Sequence, residues 1–207
     1  MNKVENTKTI NRIFYLAGGD GSRFGENKLL YPLTVDGECK PMYRHALDRV
    51  LDIVAGVTTY ELYVVTCHSD IYFYVKDLEP ELPRVHAVNS PDSPKGLSYT
   101  IRAGLAAAGE TDPGVYDTFL VADMPYISQG SLADFMRAVT GSGRTVGCMA
   151  ENGRYKNPVM FQVKLEPELL ALTGDCGGKS VFLRHENGAY VYETAGELTD
   201  LDYKEDI

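Results

Sequence analysis

Four glycines fall within eight residues, at Gly18, Gly19, Gly21 and Gly25, with Arg23 and Lys28 set among and behind them. Glycine lets backbone N–H groups turn inward and approach an anion closely. Two cations at this spacing suit triphosphate oxygens. The chemistry indicated is a loop wrapped around a nucleoside triphosphate. It is not a P-loop, because no Gly-Lys-Ser/Thr ending follows, and Gly19-x-Gly21 has no third glycine at the dinucleotide spacing. Far along the chain, Asp123 follows the apolar run Phe119-Leu120-Val121-Ala122. A carboxylate just past a buried strand suits Mg²⁺ beside phosphates; the competing reading is a turn former before Pro125. A third stretch, Gly96 to Thr100, opens a helix whose first N–H groups and positive dipole end suit a nucleotide. There Ser98 and Thr100 offer hydroxyls to a base edge or ribose, unless Ser98 only caps the helix. Arg154, Lys156 and Lys179 are cations that could receive a phosphate or are surface charge. Asp200 and Asp202 are either a second metal carboxylate or part of an acidic solvated tail.

The string Leu16-Ala17-Gly18-Gly19-Asp20-Gly21-Ser22-Arg23-Phe24-Gly25-Glu26-Asn27-Lys28 resembles the signature L-A-x-G-x-x-x-R-x-G-x-x-K of the nucleotidyltransferase family. That family includes the MobA-like molybdenum cofactor cytidylyl- and guanylyltransferases and the sugar-phosphate nucleotidyltransferases. Gly96 to Leu105 is similar to the G-M/L-S-x-S-L/I-R-x-G-L segment of the cytidylyl branch. Leu172 to Lys179 resembles its L-x-G-D-x-G-A-R/K, and Gly153 to Phe161 its G-x-x-G-H/N-P-V-x-F, with Lys156 where the family has Gly. Asp200 to Ile207 resembles the closing D-x-D-T-P-E-D-L, with Tyr203 for Thr and Lys204 for Pro. The resemblance implies that Leu16, Ala17, Gly18, Gly19, Gly21, Arg23, Lys28, Gly96, Ser98 and Thr100 bind nucleotide. It implies that Arg23 and Lys28 hold the β- and γ-phosphates, and that Asp123, with Asp200 or Asp202, holds Mg²⁺ or Mn²⁺. Arg154, Asn157, Asp175 and Lys179 are its acceptor-binding residues.

The activity implied is transfer of CMP from CTP to a phosphorylated acceptor, molybdopterin first, with release of pyrophosphate. A molybdoenzyme or its chaperone is the implied protein partner. Two enzymatic alternatives stand beside it: guanylyl transfer, and a sugar or polyol phosphate as acceptor. From a different class, a nucleotide- or cofactor-binding module without turnover also fits the altered tail.

These residues need a frame that brings Gly18 and Asp123 together. Ile13–Leu16, Leu62–Thr66, Val85–Val88, Thr118–Ala122, Thr145–Ala150 and Pro158–Val163 read as strands. Helices are predicted from Met42, over Asp70–Leu78, within Gly96–Leu105, from Ser128 to Val139, over Glu166–Leu172 and after Gly178. Thr34 to Lys40 reads as a polar excursion with a turn at Asp36-Gly37. Alternating strands and helices predict a three-layer α/β/α, Rossmann-like nucleotidyltransferase fold on a mostly parallel sheet. Ligands in such sheets bind beyond the carboxyl ends of the strands, which puts the glycine loop and Asp123 on one edge. The 207 residues suit one NTP transferase domain, with residues 1–10 a loose extension. A net charge of −9 argues against a nucleic-acid surface. No apolar run is long enough for a membrane, the polar start lacks a signal-peptide core, and the four cysteines are scattered. A cytoplasmic location is expected.

Overall fold

The computed structural model describes residues 10–19, Phe24 and residues 27–201. Arg23, Gly21 and Asp202, named above as site residues, lie outside them.

The first strand, β1 (Asn11–Ala17), is buried along its whole length. Parallel neighbours cover both its edges, β4 (Tyr60–Thr66) on one side and β6 (Tyr116–Val121) on the other. Its side chains alternate between two cores, as a pleated strand requires. Ile13, Tyr15 and Ala17 pack towards α1 (Met42–Gly56), α2 (Ser69–Leu78) and α4 (Gln129–Ser142). Phe14 and Leu16 pack towards α3 (Leu97–Ala108), α5 (Glu166–Leu170) and α6 (Gly178–His185). The expected helix–sheet–helix layering is therefore present. An unbroken apolar strand is what burial on both faces demands.

The seven-stranded sheet has the order β5-β4-β1-β6-β8-β7-β9, where β5 is Val85–Asn89, β7 Val146–Glu151, β8 Arg154–Gln162 and β9 Tyr190–Thr194. Only β8 runs antiparallel to its neighbours. The chain winds from β1 outward through β4 to β5, then returns to β6 on the opposite side of β1. Connections thus leave in opposite directions between β1 and β6, and a crevice opens at that switch point.

Two elements correct the sequence reading. The polar excursion is a hairpin, β2 (Pro32–Val35) and β3 (Glu38–Pro41). Asp36 and Gly37 turn it with φ of 52° and 82°, as a tight hairpin with both central residues left-handed requires. Leu33 and Val35 are its buried alternate positions, too few to stand out as a periodic signal. The edge strand β9 is the second: its residues alternate only between half-buried and exposed. The helix over Glu166–Leu172 is shorter than expected and stops at Leu170. Among the described residues no helix is long and apolar enough to cross a membrane.

Candidate active site

A cleft of about 440 Å³ lies beyond the carboxyl ends of β1 and β6. Leu16, Gly18 and Gly19 line it from β1, Val121 to Asp123 from β6, and Ser93 to Leu97 with Thr100 form a third wall, with Lys28 also in the lining. The residues expected on one sheet edge are together, although about a hundred positions separate Gly18 from Asp123.

Asp123 leaves β6 where Ala122 N donates to Leu16 O at 3.0 Å. Its Oδ2 accepts from Lys28 Nζ at 2.7 Å. Its Oδ1 is buried and, among the described residues, has no hydrogen-bond partner. Lys28 stands at the start of a short 3₁₀ turn, Lys28–Leu30, and also donates to Leu201 O at 3.2 Å. Leu201 N in turn donates to the Asp123 carbonyl at 3.1 Å, so the segment carrying Asp200 is docked beside Asp123. Lys156 Nζ helps to seat it, donating to Leu198 O at 2.9 Å and lying 3.7 Å from Asp200. A buried carboxylate oxygen without a partner is costly unless a cation meets it. Hard oxygen donors of this kind suit Mg²⁺ or Mn²⁺, with substrate phosphates completing the shell. Among the described residues no group of three or more His, Cys, Asp or Glu gathers to hold a metal without such help.

Arg49 and Tyr15 fix this edge, and local sequence distinguishes neither. Arg49 donates from one nitrogen to Pro125 O at 2.7 Å and Ile127 O at 2.8 Å, pinning the turn after Asp123. Tyr15 donates to Tyr43 O at 2.6 Å and, more loosely, to Ala122 O. Burial holds its phenol well above the ordinary value, so it remains a donor.

The third wall is held by hydroxyls. Thr100 Oγ1 donates to Ser93 Oγ at 2.8 Å, and Ser93 Oγ to Ser90 Oγ at 2.9 Å, all buried. Gly18 passes so close to this chain that a Cβ there would lie 2.5 Å from Ser93 Cβ and 2.8 Å from Thr100 Oγ1. Gly18→Ala is expected to cost about 1–3 kcal/mol through overpacking. A thermal unfolding midpoint equal to wild type would show that this wall yields.

Ser98 corrects an expectation. Its side chain is fully buried and donates to Gly174 O at 2.8 Å; it is not among the described residues lining the cleft and does not cap α3. It ties the Gly174–Asp175 loop to the helix. Gly96, at φ 130°, allows that contact: a Cβ there would lie 2.3 Å from the Gly174 carbonyl. Asp175 Oδ1 accepts from Leu97 N at 3.3 Å at the mouth of the cleft, and so borders the same cavity as the glycine loop. Ala17, Arg154, Asn157 and Lys179 are not among the described residues lining the cleft. Arg154 and Lys179 are exposed, and Asn157 is half-buried on β8 before the cis Pro158.

A family model for the MobA-like NTP transferase domain matches residues 13–189. Among curated proteins no sequence matches this chain. Among solved structures, Rv0371c from Mycobacterium tuberculosis H37Rv superposes with a TM-score of 0.70, covering 97% of this chain and 96% of that one at 18% identity. The same mycobacterial protein in complex with manganese gives a TM-score of 0.64 at 18% identity, with 96% of each chain covered. A nucleotidyl transferase from Methanothermobacter gives 0.65 at 22% identity, covering 96% of this chain and 94% of that one. A 4-diphosphocytidyl-2C-methyl-D-erythritol synthase from Anaerococcus prevotii gives 0.66 at 16% identity, covering 96% and 92%. At such identities these are likenesses of fold.

Proposed function

We propose that this chain, a nucleotidyltransferase that belongs to the MobA-like NTP transferase domain family, transfers CMP from CTP to a phosphorylated acceptor of the molybdopterin type and releases pyrophosphate. The observation that carries the reading is one cleft bordered by Gly18, Gly19, Lys28, Thr100 and Asp123, with a buried Asp123 oxygen that no donor among the described residues meets. Cytidylyl transfer is favoured by the Gly96–Leu105 and Leu172–Lys179 strings, and by the Anaerococcus neighbour named for a diphosphocytidyl product. The manganese complex of the mycobacterial neighbour supports a divalent ion.

An oxygen of the acceptor phosphate attacks the α-phosphorus. The bond from that phosphorus to the bridging oxygen of the β-phosphate breaks, and pyrophosphate leaves in line. No protein nucleophile is needed, so the chain's part is positioning and charge neutralisation. Gly18 and Gly19 admit the triphosphate close to backbone N–H groups. Lys28, joined by Arg23, balances charge on the β- and γ-phosphates. Asp123, with Asp200 or Asp202, would hold Mg²⁺ or Mn²⁺, which when bound supplies further neutralisation of phosphate charge. Asp175, which lines the cleft, would meet the acceptor together with Arg154, Asn157 and Lys179. On this reading the enzyme works in the cytoplasm and passes its product to a molybdoenzyme or its chaperone.

Pyrophosphate release with CTP, GTP, ATP and UTP, each with molybdopterin or a sugar or polyol phosphate, tests the reading. CTP with molybdopterin is expected to exceed every other pair by about 10-fold or more in kcat/KM. Higher kcat/KM with GTP would overturn the cytidylyl assignment, and turnover with a polyol phosphate alone would overturn the acceptor.

A further inference from the structure

Three consecutive residues at the end of β4 take three consecutive carbonyls at the end of β1. Thr66 Oγ1 donates to Ala17 O at 2.7 Å, Cys67 Sγ to Gly18 O at 3.6 Å, and His68 Nε2 to Gly19 O at 2.8 Å. In a trans peptide the carbonyl and the following N–H point in opposite directions. The N–H groups of Gly18 and Gly19 therefore turn away from β4. That is the side of β1 on which β6 and Asp123 bound the cleft.

His68 makes a second connection. Its Nδ1 faces Asn27 Nδ2 at 3.1 Å. The Asn27 amide cannot turn over without loss, because its Oδ1 already accepts from Leu29 N at 3.2 Å as the cap of the Lys28–Leu30 turn. One neutral tautomer satisfies both contacts, with the proton on Nε2 given to Gly19 and the Nδ1 lone pair accepting from Asn27. The imidazole is itself located by its backbone, since His68 N donates to Thr66 Oγ1 at 3.0 Å. A single ring thus spans from Gly19 to the turn that presents Lys28.

We propose that His68 is the positioning residue of the triphosphate site: while Thr66 and Cys67 turn the Gly18 and Gly19 N–H groups towards the cleft, the His68 ring holds the Gly19 carbonyl and fixes the distance of this glycine segment from the turn that presents Lys28. This rests on the reading of the cleft as a nucleoside triphosphate site. His68 touches neither the base nor the reacting atoms, so its loss should weaken phosphate capture rather than the chemical step.

Calorimetric titration of wild type, His68→Ala, His68→Gln and Asn27→Ala with Mg²⁺–CTP, and separately with inorganic tripolyphosphate, tests it. Both ligands are expected to bind His68→Ala about 10-fold more weakly, the worth of one or two lost hydrogen bonds. KM for CTP should rise by the same factor while kcat stays within about 3-fold. His68→Gln, which retains an amide donor, should recover part of the loss. Asn27→Ala should reproduce it, and the double variant should be no worse than either alone, because one connection is being cut twice. A merely structural histidine would lower the unfolding midpoint and leave KM alone. Wild type that binds CTP and tripolyphosphate, with His68→Ala and Asn27→Ala binding both equally tightly, would overturn this proposal only. Wild type that binds neither ligand would overturn the reading of the cleft and this proposal with it.

Discussion

Asp123→Asn is expected to release pyrophosphate about 100-fold or more slowly than wild type, with its fold intact. The amide keeps the shape of the carboxylate and removes its charge. Lys28 Nζ then faces a dipole in place of an ion at its 2.7 Å contact. The buried Oδ1 position loses the charge that a divalent cation requires, since a metal ligand of this type must be ionised. The backbone around it should not move. The Asp123 carbonyl still accepts from Leu201 N, Leu201 remains fully buried, and Arg49 still pins Pro125 and Ile127. If Asp123 only shaped a turn, the forecast reverses, because Asn and Asp bond their own backbone equally well in turns. The measurement is the Mg²⁺ and Mn²⁺ dependence of pyrophosphate release, with circular dichroism to confirm folding. Near wild-type rates at ordinary Mg²⁺ would remove Asp123 from the metal site and most of the proposed mechanism with it.

What the sequence made legible was the edge of the sheet that carries the candidate site. Long apolar strands ending in Gly18 and Asp123 can lie only in a doubly covered sheet, and parallel order brings both ends to one side. Side chains that act across the fold were not legible. Ser98 matches a hydroxyl-bearing motif position, yet its direction is set by the Gly174 carbonyl, a partner 76 residues away. His68 and Arg49 contact backbone atoms, so nothing in the identity of Gly19, Pro125 or Ile127 signals them. The β2–β3 hairpin was hidden for a different reason: its Asp36-Gly37 turn is visible, but each arm has only four residues. Arg154, Asn157 and Lys179 share motif strings with Asp175, but the cleft takes only Asp175 from them.

The largest stability effect should come from the opposite end of the sheet. Arg12 and Asp117 are paired neighbours on β1 and β6, both buried, at the strand ends away from the cleft. Arg12 Nε donates to Asp117 Oδ1 at 2.7 Å, a second nitrogen to Gly109 O at 2.9 Å, and a third to Glu166 at 2.5 Å. One guanidinium thus serves two carboxylates and a helix-end carbonyl. Burial pushes the Asp117 carboxyl up to about 7, against the opposing pull of Arg12. Arg12→Met is expected to cost about 3–5 kcal/mol, because it strands a buried negative charge rather than merely deleting a bond. The sign of the pH dependence follows from the raised value. An acid whose folded pKa lies above its unfolded one contributes stability that is fully present below the unfolded value and lost as pH rises through the folded one. In wild type that loss runs from about 4 to about 7, and without Arg12 the folded value moves higher still. The penalty of Arg12→Met should therefore be greatest at pH 8 and shrink towards pH 5, where Asp117 is neutral in the folded variant. Adding Asp117→Asn should flatten this dependence and return part of the stability. Urea unfolding of the three variants and wild type at pH 5 and pH 8 is the measurement. Because the cluster lies at the far ends of β1 and β6, kcat/KM per folded molecule should be unchanged in all of them. A penalty for Arg12→Met that is equal at both pH values would mean that the carboxylate is not the group left stranded, and a loss below about 1 kcal/mol would place the pair with surface bridges.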